Sequence, residues 1–100
     1  MMQRKIDKAG RLRIPDCYFK QLEMHEYQEI EITIEYGKIC IKKFERGNID
    51  LKPYVGIVRT LDELYRVSIP SEYLKLLGIM KGDKIALELG VRKIKIRKID

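Results

Sequence analysis

The sequence predicts a mainly β fold assembled as an intrachain pseudo-dimer, with one short helix in each half. Three observations lead there. The chain repeats: slid by 55 residues, positions 4–44 fall on 59–99 without a gap, and 13 of the 41 pairs are identical. Chance at average composition would give about two or three. The second observation is strict period-two alternation late in each copy, as in Glu29-Ile30-Glu31-Ile32-Thr33-Ile34-Glu35. Such alternation marks a strand with one dry face. The third is size. A lone unit of roughly 40 residues is near the limit at which a hydrophobic core fails, and strands with one apolar face need a second layer. Two copies can supply that layer to each other. The organisation is therefore a first repeat over 1–44, a linker over 45–54 and a second repeat over 55–100, both in one compact body.

Each copy opens with a short extended piece, 3–6 and 55–61. A tight loop follows, Asp7-Lys8-Ala9-Gly10 in one copy and Asp62-Glu63-Leu64-Tyr65 in the other. The next strand, 11–14 or 66–69, alternates cleanly, with Leu12 and Ile14 to one side and Arg11 and Arg13 to the other. Pro15 and Pro70 end it, because proline removes a ladder donor and forces the residue before it into extended geometry. Proline also suits a helix start, and a short helix runs from there to Leu22 or Leu77. Gly78 is placed to cap the second helix in left-handed backbone. Its counterpart is Glu23, so the first helix is expected to end more loosely.

A hairpin closes each copy. With Tyr36-Gly37 as a two-residue turn, Glu31 faces Lys42, Glu35 faces Lys38, Ile32 faces Ile41 and Ile34 faces Ile39. The second hairpin sets Glu88 against Lys95 and Leu89 against Ile94. Opposite charges then meet on the wet side and apolar side chains on the dry one. On this reading each acidic strand is largely neutralised by its own partner. The linker, with Gly47, Asn48 and Pro53, reaches ~33 Å when extended, enough to set the copies side by side.

Lys and Arg number 21 against 15 Asp and Glu, a net charge of +6 with a pI near 9.4. A basic domain of this size suits a polyanion, most simply nucleic acid. The excess is concentrated at positions 1–13 and 91–100, whereas 23–35 hold five glutamates and no Lys or Arg. No apolar run nears the ~18 residues that span a bilayer, and Met1-Met2-Gln3-Arg4-Lys5 opens no secretory signal. The expectation is a cytoplasmic protein without membrane contact. Cys17 and Cys40 make no disulfide framework, and with the single His25 they offer no four-ligand zinc set. No nucleophile and base stand in a usable arrangement. The expectation is accordingly a protein that is not an enzyme, with no cofactor, no metal and no small-molecule substrate.

Residues 56–99, GIVRTLDELYRVSIPSEYLKLLGIMKGDKIALELGVRKIKIRKI, closely resemble the AbrB (SpoVT/AbrB) family of transition-state regulators. Residues 4–22, RKIDKAGRLRIPDCYFKQL, are a more diverged match. The shared signature is an Arg, one intervening residue and an apolar residue, then Asp-x-x-x-Arg, an alternating strand ending in Ile-Pro, and a short helix. The resemblance implies a swapped-hairpin β-barrel of the AbrB type, the strands of one copy interleaved with those of the other. Usually the two copies are two chains. Here the tandem implies that one chain forms the whole barrel, and a homo-oligomer of such chains is compatible with it.

The resemblance also implies a transcription regulator that binds double-stranded DNA through basic residues of the first strand, the loop and the helix. Carried over by position, the first-strand arginine falls on Arg59 and Arg4. The basic residue after it is Lys5 in the first copy and Thr60 in the second. The loop-closing arginine falls on Arg66 and Arg11. One member of the helix's basic pair is kept as Lys75 and Lys20, while the other is Leu74 and Phe19, which weakens the helix contribution. The glycine before the loop arginine is Gly10 in one copy and Tyr65 in the other, so the second loop is expected to be strained or different. With Lys8 and Arg13, the candidate DNA-binding set is Arg4, Lys5, Lys8, Arg11, Arg13, Lys20, Arg59, Arg66 and Lys75. Asp7 and Asp62 are expected to hold the loops and orient Arg11 and Arg66 toward phosphate. Tyr18 and Tyr73 are expected to pack rather than stack on bases. The alternative class is an antitoxin-like or MraZ-like interaction module that binds a protein partner or assembles into rings. The larger repeat of MraZ-type proteins, and the end of the chain at Asp100 directly after the last strand, argue against it.

Overall fold

Alternation becomes hairpins in the expected register. In a computed structural model, which describes residues 2–45 and 56–99, β3 (Glu29–Glu35) pairs antiparallel with β4 (Lys38–Lys43), setting Ile32 against Ile41, Ile34 against Ile39 and Glu35 against Lys38. β7 (Lys84–Gly90) and β8 (Lys93–Lys98) repeat this, with Glu88 against Lys95 and Leu89 against Ile94. The short elements come before each hairpin: β1 (Met2–Lys5), β2 (Arg11–Arg13) and α1 (Asp16–Gln21), then β5 (Ile57–Thr60), β6 (Arg66–Ser68) and α2 (Ser71–Leu76). Residues 46–54 of the expected linker, and Val55 of the expected extended piece, lie outside the described residues.

The two copies share their sheets. β1 lies along β7 of the other copy, with Arg4 opposite Ile85 and Lys5 opposite Lys84. β5 lies along β3, with Arg59 opposite Ile30 and Thr60 opposite Glu29. The hairpins join through β4 and β8, where Ile39–Ile96 and Ile41–Ile94 flank a central Cys40–Lys95 pair. β2 and β6 pair as a ribbon about Leu12–Val67. Adding or subtracting 55 turns each register into its counterpart. A pseudo-twofold axis therefore passes between Cys40 and Lys95 and between Leu12 and Val67.

The strands form an open antiparallel sheet in the order β1-β7-β8-β4-β3-β5 and a separate two-stranded sheet, β2-β6. The expected closed barrel is not formed. Its closure would need β1 and β5 to be bridged. Each of those strands instead ends at the Asp7 or Asp62 loop, and the three-residue strand that follows takes its twin as partner. The ribbon lies over the sheet. Leu12, Ile14, Val67 and Ile69 join Ile30, Ile32, Ile39, Ile41, Ile85, Leu87, Ile94 and Ile96 in one buried core drawn from both copies. The Tyr18 hydroxyl donates to the Leu87 carbonyl at 3.1 Å and that of Tyr73 to the Ile32 carbonyl at 3.5 Å. Each tyrosine thus ties a helix of one copy to a strand of the other. Among the described residues, no helix is long and apolar enough to cross a membrane.

Both helices end alike, contrary to the looser end expected for α1. Glu23 takes left-handed backbone at φ 57°, as Gly78 does at φ 67°. In each copy the two N–H groups beyond the C-cap turn back onto the helix: Glu23 to Lys20 and Met24 to Phe19, Gly78 to Lys75 and Ile79 to Leu74. Burial of Met24 and Ile79 completes the motif and holds a non-glycine residue in it. Left-handed backbone costs an L-residue about 1–2 kcal/mol, and glycine's extra chain entropy offsets about 0.5–1 kcal/mol of that. Glu23→Gly is therefore expected to stabilise the protein by roughly 0.5 kcal/mol, read as a higher urea midpoint at unchanged slope. A lower midpoint would contradict this account.

Candidate nucleic-acid interface

The ribbon sorts its side chains by the period of two. Leu12 and Val67 point into the core, so Arg11, Arg13, Arg66 and Ser68 occupy the outer side. Arg13 stands directly opposite Arg66, and Arg11 opposite Ser68. Side chains so placed have Cβ atoms about 4.5–5.5 Å apart, and like charges there are unfavourable. Arg13 makes no hydrogen bond or ion pair among the described residues. Arg4 lies beside it: both line a shallow concavity of about 550 Å³ together with Met2, Ile14, Pro15, Asp16 and Cys17. Arg4 shares the side of the sheet that faces the ribbon, because it is opposite the buried Ile85. Arg59, opposite the buried Ile30, holds the equivalent place, and the pseudo-twofold puts it by Ser68.

The two loops are built around their aspartates. Asp7 Oδ1 accepts the N–H groups of Ala9 and Arg11 at 2.9 and 2.7 Å, and Oδ2 accepts Nε of Arg11 at 3.0 Å. Asp62 does the same with Leu64, Arg66 and Arg66 Nε, at 2.8, 2.9 and 2.7 Å. Each carboxylate so fixes a turn and a guanidinium together. Gripping Arg11 and Arg66 by Nε leaves their terminal amino groups, with four N–H donors each, without a hydrogen bond among the described residues. The Arg11 backbone N–H, then its guanidinium, holds the Asp7 carboxyl below its ordinary value. At Asp62 burial pushes upward, but the backbone and side-chain bonds from Arg66 together outweigh it and the net shift is downward.

Such groups stabilise the fold above the ordinary carboxylate range, and the contribution is lost as pH falls through the lowered values. The melting temperature is therefore expected to fall below about pH 4. A variant carrying Asp7→Asn and Asp62→Asn should melt lower at pH 7 and show a shallower acid decline than the parent. Parallel curves for the two proteins would rule this out.

Tyr65 answers the question raised by its place in the loop. It takes φ 58°, matching Gly10 at φ 79°, so both loops share one geometry. The Tyr65 ring stacks on Phe19, centroids 3.8 Å apart and planes 6° from parallel. Phe19 stands where the resemblance expects a basic residue, and this stack is what it makes instead.

Not every candidate joins the arginines. Lys5 is opposite Lys84, on the other side of the sheet from Arg4. Lys8 is exposed in its loop. Lys20 and Lys75 are exposed in the last turns of α1 and α2, and among the described residues neither side chain makes a hydrogen bond or ion pair to the ribbon. The hairpin charges also differ from expectation. Glu35 and Glu88 keep their registers, yet the close ion pairs run between copies: Lys38–Glu88 at 2.8 Å and Lys93–Glu35 at 3.2 Å. Of the expected pairs within one hairpin, Lys42–Glu31 forms at 3.8 Å. The β4–β8 junction sets the hairpins side by side, so each long lysine reaches a glutamate in the other copy. Lys81 and Lys84 escaped the sequence reading. Their i−55 counterparts are Glu26 and Glu29, and no feature of either copy alone sets them apart.

No family model matches the chain, and no curated protein matches it.

Proposed function

We propose that the protein is an AbrB-like, DNA-binding transcription regulator, an opened form of the swapped-hairpin scaffold, that engages the backbone of double-stranded DNA with its β2–β6 ribbon. The observation that carries this reading is the guanidinium row, Arg11, Arg13 and Arg66, on the outer side of a two-stranded ribbon, with Arg4 beside it. Two of these groups are pre-oriented by aspartates through Nε, with their outward donors unused. Arg66 is balanced by Asp62 but Arg13 opposite it has no acid of its own among the described residues, and a phosphate between them takes the donors that both guanidinium groups leave unused. The pseudo-twofold matches the approximate dyad of duplex DNA. With no long recognition helix, sequence preference is modest and partly shape-based.

The interaction-module reading draws on less. Leu76 and Met80 are exposed apolar residues near the end of α2, and nothing in the structure says what covers them.

The test is anisotropy of a labelled random-sequence duplex over a salt series. For ~4–6 neutralised phosphates, log affinity should fall against log salt with a slope of roughly −3.6 to −5.4. No binding at low salt, or binding indifferent to salt, would sink the proposal.

A further inference from the structure

Strand exchange between the copies does something to charge that neither copy does alone. β1 ends at Lys5, opposite Lys84. The pairing continues past the strand: Ile6 N–H donates to the Asp83 carbonyl and Gly82 N–H to the Ile6 carbonyl. The first loop carries Lys8, and Lys81 lies over Gly10, its Cε 3.5 Å from where a Cβ would sit. Four lysines thus collect at one corner, two from each copy. All four are exposed, and none has a hydrogen bond or ion pair among the described residues. The acids at this corner are occupied: Asp7 by Arg11 and two backbone N–H groups, Asp83 by the Met80 N–H. At the pseudo-symmetric corner, where Leu61 N–H donates to the Gln28 carbonyl, the equivalent positions are Thr60, Glu63, Glu26 and Glu29.

We infer that DNA engagement is one-sided: the corner of Lys5, Lys8, Lys81 and Lys84 is a second phosphate contact that extends the arginine ribbon in one direction only, and the bound site is asymmetric. The inference rests on the DNA-binding reading above. Lys5 and Lys84 lie on the side of the sheet away from the ribbon, but at its β1 edge, and the loop that rounds this edge supplies the continuity, since Lys8 stands in it and Arg11 follows it. Lysine without a fork suits this task, a point charge on phosphate with no base readout. The acidic corner repels the same backbone. A duplex that would sit centred on a symmetric dimer is drawn toward the lysines.

The experiment compares three full-length proteins on one random-sequence duplex: the parent, Lys81→Gln with Lys84→Gln, and Glu26→Gln with Glu63→Gln. Each pair adds or removes two charges, and both lie on exposed positions, so thermal melts serve as the folding control. The lysine variant is expected to bind roughly tenfold more weakly, its salt slope shallower by about 1.8. The glutamate variant should change affinity less than about threefold with an unaltered slope, as long-range charge alone would give at physiological salt. Equal and opposite effects of the two variants would show that net charge alone matters and would overturn the inference. So would a lysine variant that binds like the parent but loses mass in size exclusion at low salt, which would assign the corner to a second copy of this chain. A parent that binds no duplex would remove the DNA-binding reading itself, an outcome separate from either.

Discussion

Residues 1–45 and 56–100, produced as separate chains, are expected not to fold by themselves and to regain structure when mixed. The reason lies in the pairing. In isolation β1 loses β7, β5 loses β3, and the β4–β8 and β2–β6 junctions disappear. What remains of each half is one hairpin and one short helix, and a lone two-stranded hairpin is marginal in water. The apolar faces would be bare as well. Leu12, Ile32, Ile41, Val67, Leu87 and Ile96 are buried in a core to which both halves contribute, and burying one such side chain stabilises by about 1.5–3 kcal/mol. Circular dichroism of each half and of the equimolar mixture is the measurement. A monomeric half with a cooperative melt would refute the expectation. Self-pairing of one half through the same registers is a dimerisation, which concentration dependence of the melt reveals.

Replacing both Arg11 and Arg66 by Ala is expected to cut duplex affinity by roughly a hundredfold while the fold survives. The fold survives because Asp7 and Asp62 each keep two backbone N–H donors when the guanidinium goes, so the turns remain closed. The two arginines are half-buried at the surface, where an ion pair within reach of water adds little to stability. Affinity falls because a hydrogen-bonded contact with a charged group is worth about 1.5–3 kcal/mol, and two such contacts with phosphate are removed. Lysine at both positions should restore part of the affinity and most of the salt dependence, since it returns the charge without the fork. Unchanged affinity in the alanine variant, with a normal melt, would exclude the ribbon as the contact surface.

The local elements were legible because they depend on local rules. Period two in Glu29–Glu35 and the Tyr36-Gly37 turn were enough to set Ile32 against Ile41, since a slip by one residue would turn every isoleucine to water. Asp7 and Arg11, four apart across a tight loop, announced their bond. Local rules misled where packing overrode them. Glu23 and Tyr65 both take backbone that favours glycine, Glu23 because buried Met24 locks the helix end and Tyr65 because Phe19 stacks on its ring. Glu35 and Glu88 faced their hairpin lysines on paper, yet lysines of the neighbouring hairpin reach them.

The 55-residue repeat, by itself, determined that there are two equivalent units, which faces of their strands are dry, and which loops carry an Asp–Arg pair. Only the tertiary structure decided how the units share strands. That choice left the sheet open, faced Arg13 toward Arg66, and gathered Lys5, Lys8, Lys81 and Lys84 at one corner with glutamates at the other. The physical reason is range. Alternation and turns are fixed by neighbours along the chain, whereas the sign of a surface patch depends on which distant segment lies alongside.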